Sequence, residues 1–146
     1  MNIRRIDPDE SLDDALSVRR AVFVDEQGVP EDREIDGKDG GATHFVAYDG
    51  RKPIAVARLR EYNEDSKASD TAKVERVAVL EERRGAGVGR ALMNTVEETA
   101  ISAGYVEIVL HAQLPVLDFY SRLGYEPMGE PFEDAGIPHR KMTKSL

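Results

Sequence analysis

The chain has no cysteine. That absence excludes disulfides, thiolate metal sites and a cysteine nucleophile together, and it suits a reducing compartment. No apolar run approaches the ~18 residues that a membrane span needs. The opening Met1-Asn2-Ile3-Arg4-Arg5-Ile6-Asp7 meets charge before any apolar stretch, unlike a secretory leader. A cytoplasmic protein with no membrane partner is the expectation. Positive charge is scarce: 20 basic residues face 28 acidic ones, for a net charge of −8, which argues against a nucleic-acid partner. Lysine is scarcer still, at 6 of the 20 basic residues; salt adaptation and ordinary cytosolic acidity both fit. Three histidines without i, i+4 spacing give no pattern for a metal. Neither a repeat nor a linker interrupts the 146 residues, and 40% hydrophobic content is enough for one core, so residues 1–146 read as one domain.

What is present centres on one stretch. Val74-Glu75-Arg76-Val77-Ala78-Val79 reads as a buried strand, Leu80 to Arg90 as a basic, glycine-rich turn, and the run to about Ala103 as a helix opening directly after Gly89. Gly85, Gly87 and Gly89 leave the backbone without side-chain bulk, so its N–H groups are free to face an anion. A helix N-terminus adds unpaired N–H groups and the positive end of its dipole. Two familiar phosphate loops do not fit. A Walker A loop ends Gly-Lys-Ser/Thr, whereas this one ends Gly89-Arg90-Ala91. A Rossmann turn needs a small residue where Arg90 or Leu92 stands. Although the whole chain is acidic, Arg83, Arg84 and Arg90 make the turn locally positive.

Elsewhere the patterning is coarser. Residues 2–7 suit a short strand. Ser11 and Asp14 have capping-box spacing, and Leu12, Ala15, Leu16, Arg19, Val22 and Phe23 predict a helix to about Asp25. Arg19 lies on that stripe, either snorkelling at its edge or facing a substrate. Glu31 to Gly41 reads as an acidic, solvated loop or short helix. Thr43–Tyr48 and Ile54–Tyr62 predict a hairpin around Asp49-Gly50, and Asn63–Thr71 a loop. The long helix carries Val88, Leu92, Val96, Ala100 and Ala103 on one face, with Glu97 and Glu98 outward and Gly104 ending it. Val106–Ala112 is a second central strand, giving a right-handed βαβ unit. Pro115 opens a short helix with Val116, Phe119, Tyr120 and Leu123 on one face, and a final antiparallel pair surrounds Asp134-Ala135-Gly136.

Arg84-x-x-Gly87-x-Gly89 after a Val-Ala-Val strand resembles the coenzyme A signature of the GNAT N-acetyltransferase superfamily, Gln/Arg-x-x-Gly-x-Gly/Ala. Phe119-Tyr120-Ser121-Arg122-Leu123-Gly124-Tyr125 resembles its Phe-Tyr-x-x-x-Gly-Phe/Tyr block. Ala21–Gln27, Ala42-Thr43-His44, Leu110–Gln113 and Gly136–Met142 resemble the ElaA-like branch. The resemblance implies an α/β (α+β) GNAT fold: a mixed, mostly antiparallel sheet with a central βαβ unit and flanking helices. It also implies acetyl transfer from acetyl-CoA to an amine of a small molecule or peptide, by direct attack in a ternary complex. Absence of a cysteine and of a Gly-x-Ser-x-Gly elbow agrees with a reaction needing no covalent enzyme intermediate.

On this resemblance Arg84, Gly85, Ala86, Gly87, Val88, Gly89 and Arg90 would hold the coenzyme A pyrophosphate. Val77, Ala78 and Val79 would pair with the pantetheine and polarise the thioester, and Tyr120 would protonate the departing thiolate. Candidate bases are Glu75, placed by alternation on the same strand face as Val77 and otherwise a solvent-exposed carboxylate, and His111, otherwise a structural histidine. Arg19, Glu26, Gln27 and His44 are candidates for the acceptor side. A non-catalytic acyl-CoA-binding sensor or scaffold is the rival from another class; dimers are common among similar proteins.

Overall fold

The computed structural model describes residues 1–62 and 70–146; the predicted loop at Asn63–Thr71 lies almost wholly outside the described residues. Among the described residues seven strands form one sheet: β1 (Asn2–Ile6), β2 (Thr43–Asp49), β3 (Lys52–Glu61), β4 (Thr71–Val79), β5 (Glu107–Gln113), β6 (Glu126–Asp134) and β7 (Ile137–Ser145). Their spatial order is β1-β2-β3-β4-β5-β7-β6, and every neighbouring pair is antiparallel except β4–β5. The helices are α1 (Asp13–Arg19), α2 (Glu31–Glu34), α3 (Val88–Ser102) and α4 (Leu117–Arg122). This is the mixed, mainly antiparallel α+β architecture that the resemblance implies.

Two apolar clusters cover the faces of the sheet. On one side α3 buries Val88, Leu92, Met93, Val96 and Ala100 against Phe45, Leu59, Val74 and Ile108. On the other, Ala15, Val18 and Val22 pack on Val46, Val56 and Ala78. Helix α3 ends as its glycine requires: Gly104 has φ 93°, its N–H donates to Ile101, and the Tyr105 N–H donates to Ala100 at 3.0 Å. Ala103 is exposed rather than on the buried face. Glu97 does not point outward; it accepts from the Tyr125 hydroxyl at 2.7 Å and from Lys144 at 2.8 Å. Val116 is exposed, so the buried side of α4 is Tyr120 with half-buried Phe119 and Leu123.

Two local departures shape the site. The first helix does not run to Asp25 as an α-helix: after Arg19 it widens into a π-helix over Arg20–Glu26, with the Gln27 N–H donating to Val22. Nor does a capping box form. Ser11 Oγ accepts from the Asp13 N–H, while Asp14 is the acceptor of the Tyr48 hydroxyl at 2.7 Å. The second departure is a bulge in β4. Glu75 pairs with Arg58 and Ala78 with Val56, and between them Arg76 adopts φ 54°, a left-handed value that most side chains avoid. The extra residue breaks the alternation, so Val77 joins Val74 in the α3-side cluster. Glu75 therefore does not share a face with Val77; it lies on the side of Arg58 and Ala78.

Candidate active site

Strands β4 and β5 pair only from Thr71–Glu107 to Val74–Leu110. Beyond that point each continues for several residues without the other, and a cavity of ≈ 840 Å³ opens between them. It is lined by Glu75 to Val79 on one strand, Leu110 to Gln113 on the other, and by the glycine turn, α4 and the β6–β7 turn. Parallel strands joined through a helix place the turn after β4 at the end of this opening.

The turn is built from backbone. Gly85 and Gly87 have φ 81° and 83°, conformations that a side chain would strain. Gly89 serves packing instead: a Cβ there would stand 3.1 Å from the Phe119 ring. Helix α3 opens at Val88 with Gly87 as N-cap, one residue before the last glycine rather than after it. Among the described residues no backbone N–H from Gly85 to Arg90 has an acceptor. Six consecutive unpaired donors at a helix N-terminus suit an anion. Arg90 is exposed and has no ion-pair partner among the described residues; Arg122 on α4, which sequence reading did not single out, has the same freedom and lines the same cavity.

Arg84 is committed elsewhere. Its Nε donates to the Val79 carbonyl at 2.9 Å, and its two terminal nitrogens hold Glu26 at 2.8 and 2.7 Å. Glu26 is thus the partner of Arg84 and does not line the cavity, and the hydrogen bond from Arg84 lowers its pKa. Gln27 does line it, exchanging hydrogen bonds with Gln113 across the opening, the shorter at 2.9 Å.

At the other end the predicted solvated loop is something quite different. Glu34 is 4% exposed and Arg19 is 1% exposed. Arg19 does not snorkel; its guanidinium holds Glu34 at 2.7 Å and Asp39 at 2.8 Å. Fully buried Arg58 binds Asp36, Asp39 and Glu75 at 2.7 to 2.9 Å. Arg76 reaches Glu34 at 2.8 Å and Asp36 at 3.3 Å. Residues 34–39 are therefore clamped on the sheet by arginines from α1, β3 and β4. His44 is buried, its Nε2 2.9 Å from the Asp39 carbonyl. Neither Arg19 nor His44 lines the cavity.

Glu75 belongs to this clamp. Burial opposes its ionisation, but the hydrogen bond from Arg60 and the charges of Lys73, Arg58 and Arg60 hold its pKa down to about 2. Far from exposed, it is a weak base already engaged by three cations. His111 sits opposite it at the strand parting. Burial, then the charges of Lys73, His139 and Lys141, lower its pKa to about 4, so the ring is neutral at pH 7. Neither ring nitrogen has a hydrogen-bond partner among the described residues, and the ring meets Phe132 edge-on at 4.9 Å. Tyr120 contributes a buried ring to the wall, edge-on to Phe119 and Tyr125. Its hydroxyl has no partner among the described residues, and burial raises its pKa. Among the described residues no group of three or more His, Asp or Glu side chains is arranged to hold a metal.

The model of the acetyltransferase (GNAT) domain matches residues 7–146. The chain belongs to the GNAT acetyltransferase family. It is 41% identical over 137 residues to the uncharacterized N-acetyltransferase YjcF of Bacillus subtilis (strain 168), covering 93% of this chain and 94% of that one. It is 34% identical over 134 residues to protein ElaA of Escherichia coli (strain K12), covering 90% and 85%. The crystal structure of Escherichia coli ElaA superposes with a TM-score of 0.84 at 31% identity, over 98% of each chain. That of a putative N-acetyltransferase from Lactobacillus plantarum gives 0.86 at 30% identity, over 100% and 99%. Within the GNAT family, these likenesses support the ElaA-like branch, and the family implies an acyltransferase. No helix among the described residues is long and apolar enough to cross a membrane.

Proposed function

We propose that the protein is an acetyl-CoA-dependent N-acetyltransferase acting on an amine of a small molecule or peptide. The observation that carries this reading is the run of six backbone N–H groups from Gly85 to Arg90 that have no acceptor among the described residues, opening onto a cavity with a free strand edge. These donors, with Arg90 and Arg122, fit the pyrophosphate of coenzyme A. Beyond Val74 the edge of β4 is not covered by β5, which leaves Val77, Ala78 and Val79 beside the cavity for a pantetheine arm.

In the transfer the amine nitrogen attacks the thioester carbonyl carbon, the carbon–sulfur bond breaks, and the sulfur leaves as thiolate. The Tyr120 hydroxyl, held protonated by burial, gives that sulfur its proton. The amine must shed a proton, and His111, whose neutral ring lines the cavity, would accept it directly or through water and pass it on to solvent. Glu75 is better suited to anchoring the clamp.

The test is a thermal shift with coenzyme A, acetyl-CoA, ATP and NAD, followed by thiol release from acetyl-CoA over an amine panel. Coenzyme A species alone should raise the melting temperature, and at least one amine should release thiol. No shift would sink the cradle reading. A shift without turnover on any amine would favour a non-catalytic acyl-CoA-binding module. With an active acceptor in hand, Tyr120→Phe should lower turnover by about 10²–10⁴-fold at saturating substrates; unchanged turnover would remove Tyr120 from the reaction.

A further inference from the structure

Charge in the clamp behind the inner end of the cavity is unbalanced. Among the described residues the clamp joins five cations (Arg19, Arg58, Arg60, Lys73 and Arg76) to four carboxylates (Glu34, Asp36, Asp39 and Glu75). Every one of those carboxylates has at least two cationic partners, so none is left to receive a cationic group from an acceptor. Arg76 is different. Its Nε and Nη2 are spent on Glu34, Asp36 and the Arg33 carbonyl, whereas Nη1 has no partner among the described residues. The residue lines the cavity beside Glu75, where β4 and β5 part. It also holds the left-handed backbone of the bulge, a conformation that strains a side-chain-bearing residue. A glycine would relieve that strain, yet an arginine stands there. Strained residues cluster where a side chain must be aimed.

We infer that the acceptor carries a carboxylate near its amine and that Arg76 recognises it, with its guanidinium pre-set by Glu34 and Asp36. Clamping one edge of the guanidinium fixes the plane of the other, so little rotamer entropy remains to be lost on binding. Free amino acids and peptides with an acidic group near the amine belong to this class; polyamines do not. This inference rests on the acetyl-transfer reading above.

The test compares amino acids with their carboxamides as acceptors, in the wild type, Arg76→Gln and Arg76→Gly. Carboxamides have more acidic ammonium groups, so the informative quantity is the carboxylate-to-carboxamide ratio of kcat/KM in each variant relative to wild type. That ratio should fall at least about tenfold in both variants, as for loss of a charge-assisted hydrogen bond. Arg76→Gly leaves the bulge relaxed, so agreement between the two assigns the loss to the guanidinium. A merely structural Arg76 would lower both acceptors equally, and an unchanged ratio would overturn the inference. So would a wild type that prefers polyamines. An independent arm titrates N-acetyl amino acids and their carboxamides into wild-type protein loaded with coenzyme A. Tighter binding of the carboxylate by about tenfold is expected, and equal binding or none would overturn the inference without relying on any variant. Failure of every amine to release thiol would instead count against the acetyl-transfer reading itself.

Discussion

At one end of the cavity the turn from Gly85 to Arg90 offers backbone donors and little side chain, whereas at the other end nine charged side chains are locked together. Both ends handle charge, but in opposite ways. The turn leaves its N–H groups unpaired and stays polar through geometry, so its capacity to hold an anion comes from the ligand's own charge. The clamp has spent nearly all its capacity internally and offers a ligand only what is left over, at Arg76. On the proposed reading the first arrangement would give affinity for the acyl donor, and the second shape and a residual preference. The Arg58 Nε, buried without a partner among the described residues, shows that even the clamp is not completely satisfied.

The difference is sharpest if the clamp is broken. Arg58→Ala strips Asp36, Asp39 and Glu75 of a shared buried cation and should cost about 3–5 kcal/mol in urea unfolding, while the protein that remains folded still binds coenzyme A. The same variant should have an altered acid limb. Asp36, Asp39 and Glu75 all have lowered pKa values, so the stability they confer is present above the ordinary carboxylate range and lost as pH falls through the folded values. Removing Arg58 should make that decline shallower below about pH 4.5. An unchanged limb would mean that the arginine is a passive filler.

The turn should respond to a far smaller change, a single methyl group. Gly87→Ala forces a Cβ into φ 83° and should cost about 1–2 kcal/mol. Because helix α3 begins there, coenzyme A affinity should weaken by about tenfold in titration, with the clamp's acid limb untouched. Retained affinity would show that the donors do not depend on this backbone.

These two ends also differ in how they could be read from the chain. The turn is contiguous, so glycine spacing after a strand was enough to find it. The clamp draws on positions 19, 34–39, 58–60 and 73–76, and no window of sequence joins them. Glu31–Gly41 therefore read as solvated surface, although Glu34 is buried. Its composition is that of a loop, and only the arginines arriving from β3 and β4 reverse the meaning. Alternation likewise put Glu75 beside Val77, because a bulge on a non-glycine residue leaves no mark in the residue pattern. The π-helix was hidden for a similar reason: its residues keep an apolar stripe, and only backbone hydrogen bonds such as that from the Gln27 N–H to Val22 reveal the wider turn. Arg122 was missed because its significance lies in facing the cavity, although it sits inside the Phe119–Tyr125 motif.

Between the two ends, His111 tests whether the parting of the strands is a low-polarity environment. Its folded pKa of about 4 lies below the ordinary 6.5, so the unfolded chain binds the proton first as pH falls. Stability should thus drop by about 1 kcal/mol between pH 6.5 and 4, after allowance for water in the cavity. His111→Phe should flatten this part of the profile. A profile identical to wild type would place the imidazole in a water-like setting.

The smallest effect on stability is expected where the two ends communicate. Glu26, at the end of the π-helix, holds Arg84 in an exposed two-pronged pair, and exposed pairs contribute about 0–1 kcal/mol. Glu26→Ala should therefore leave unfolding almost unchanged. Its effect on ligand binding has the opposite sign from that of Gly87→Ala. Removing the carboxylate takes a negative charge from beside the turn and frees two guanidinium nitrogens that now face Glu26, while Nε can keep its bond to the Val79 carbonyl. Coenzyme A should bind about two- to fivefold more tightly at low salt, and the gain should fade as added salt screens the exposed charges. Weaker binding would mean that Glu26 orients Arg84 for the phosphate, making the ion pair a part of the cradle and not a competitor to it.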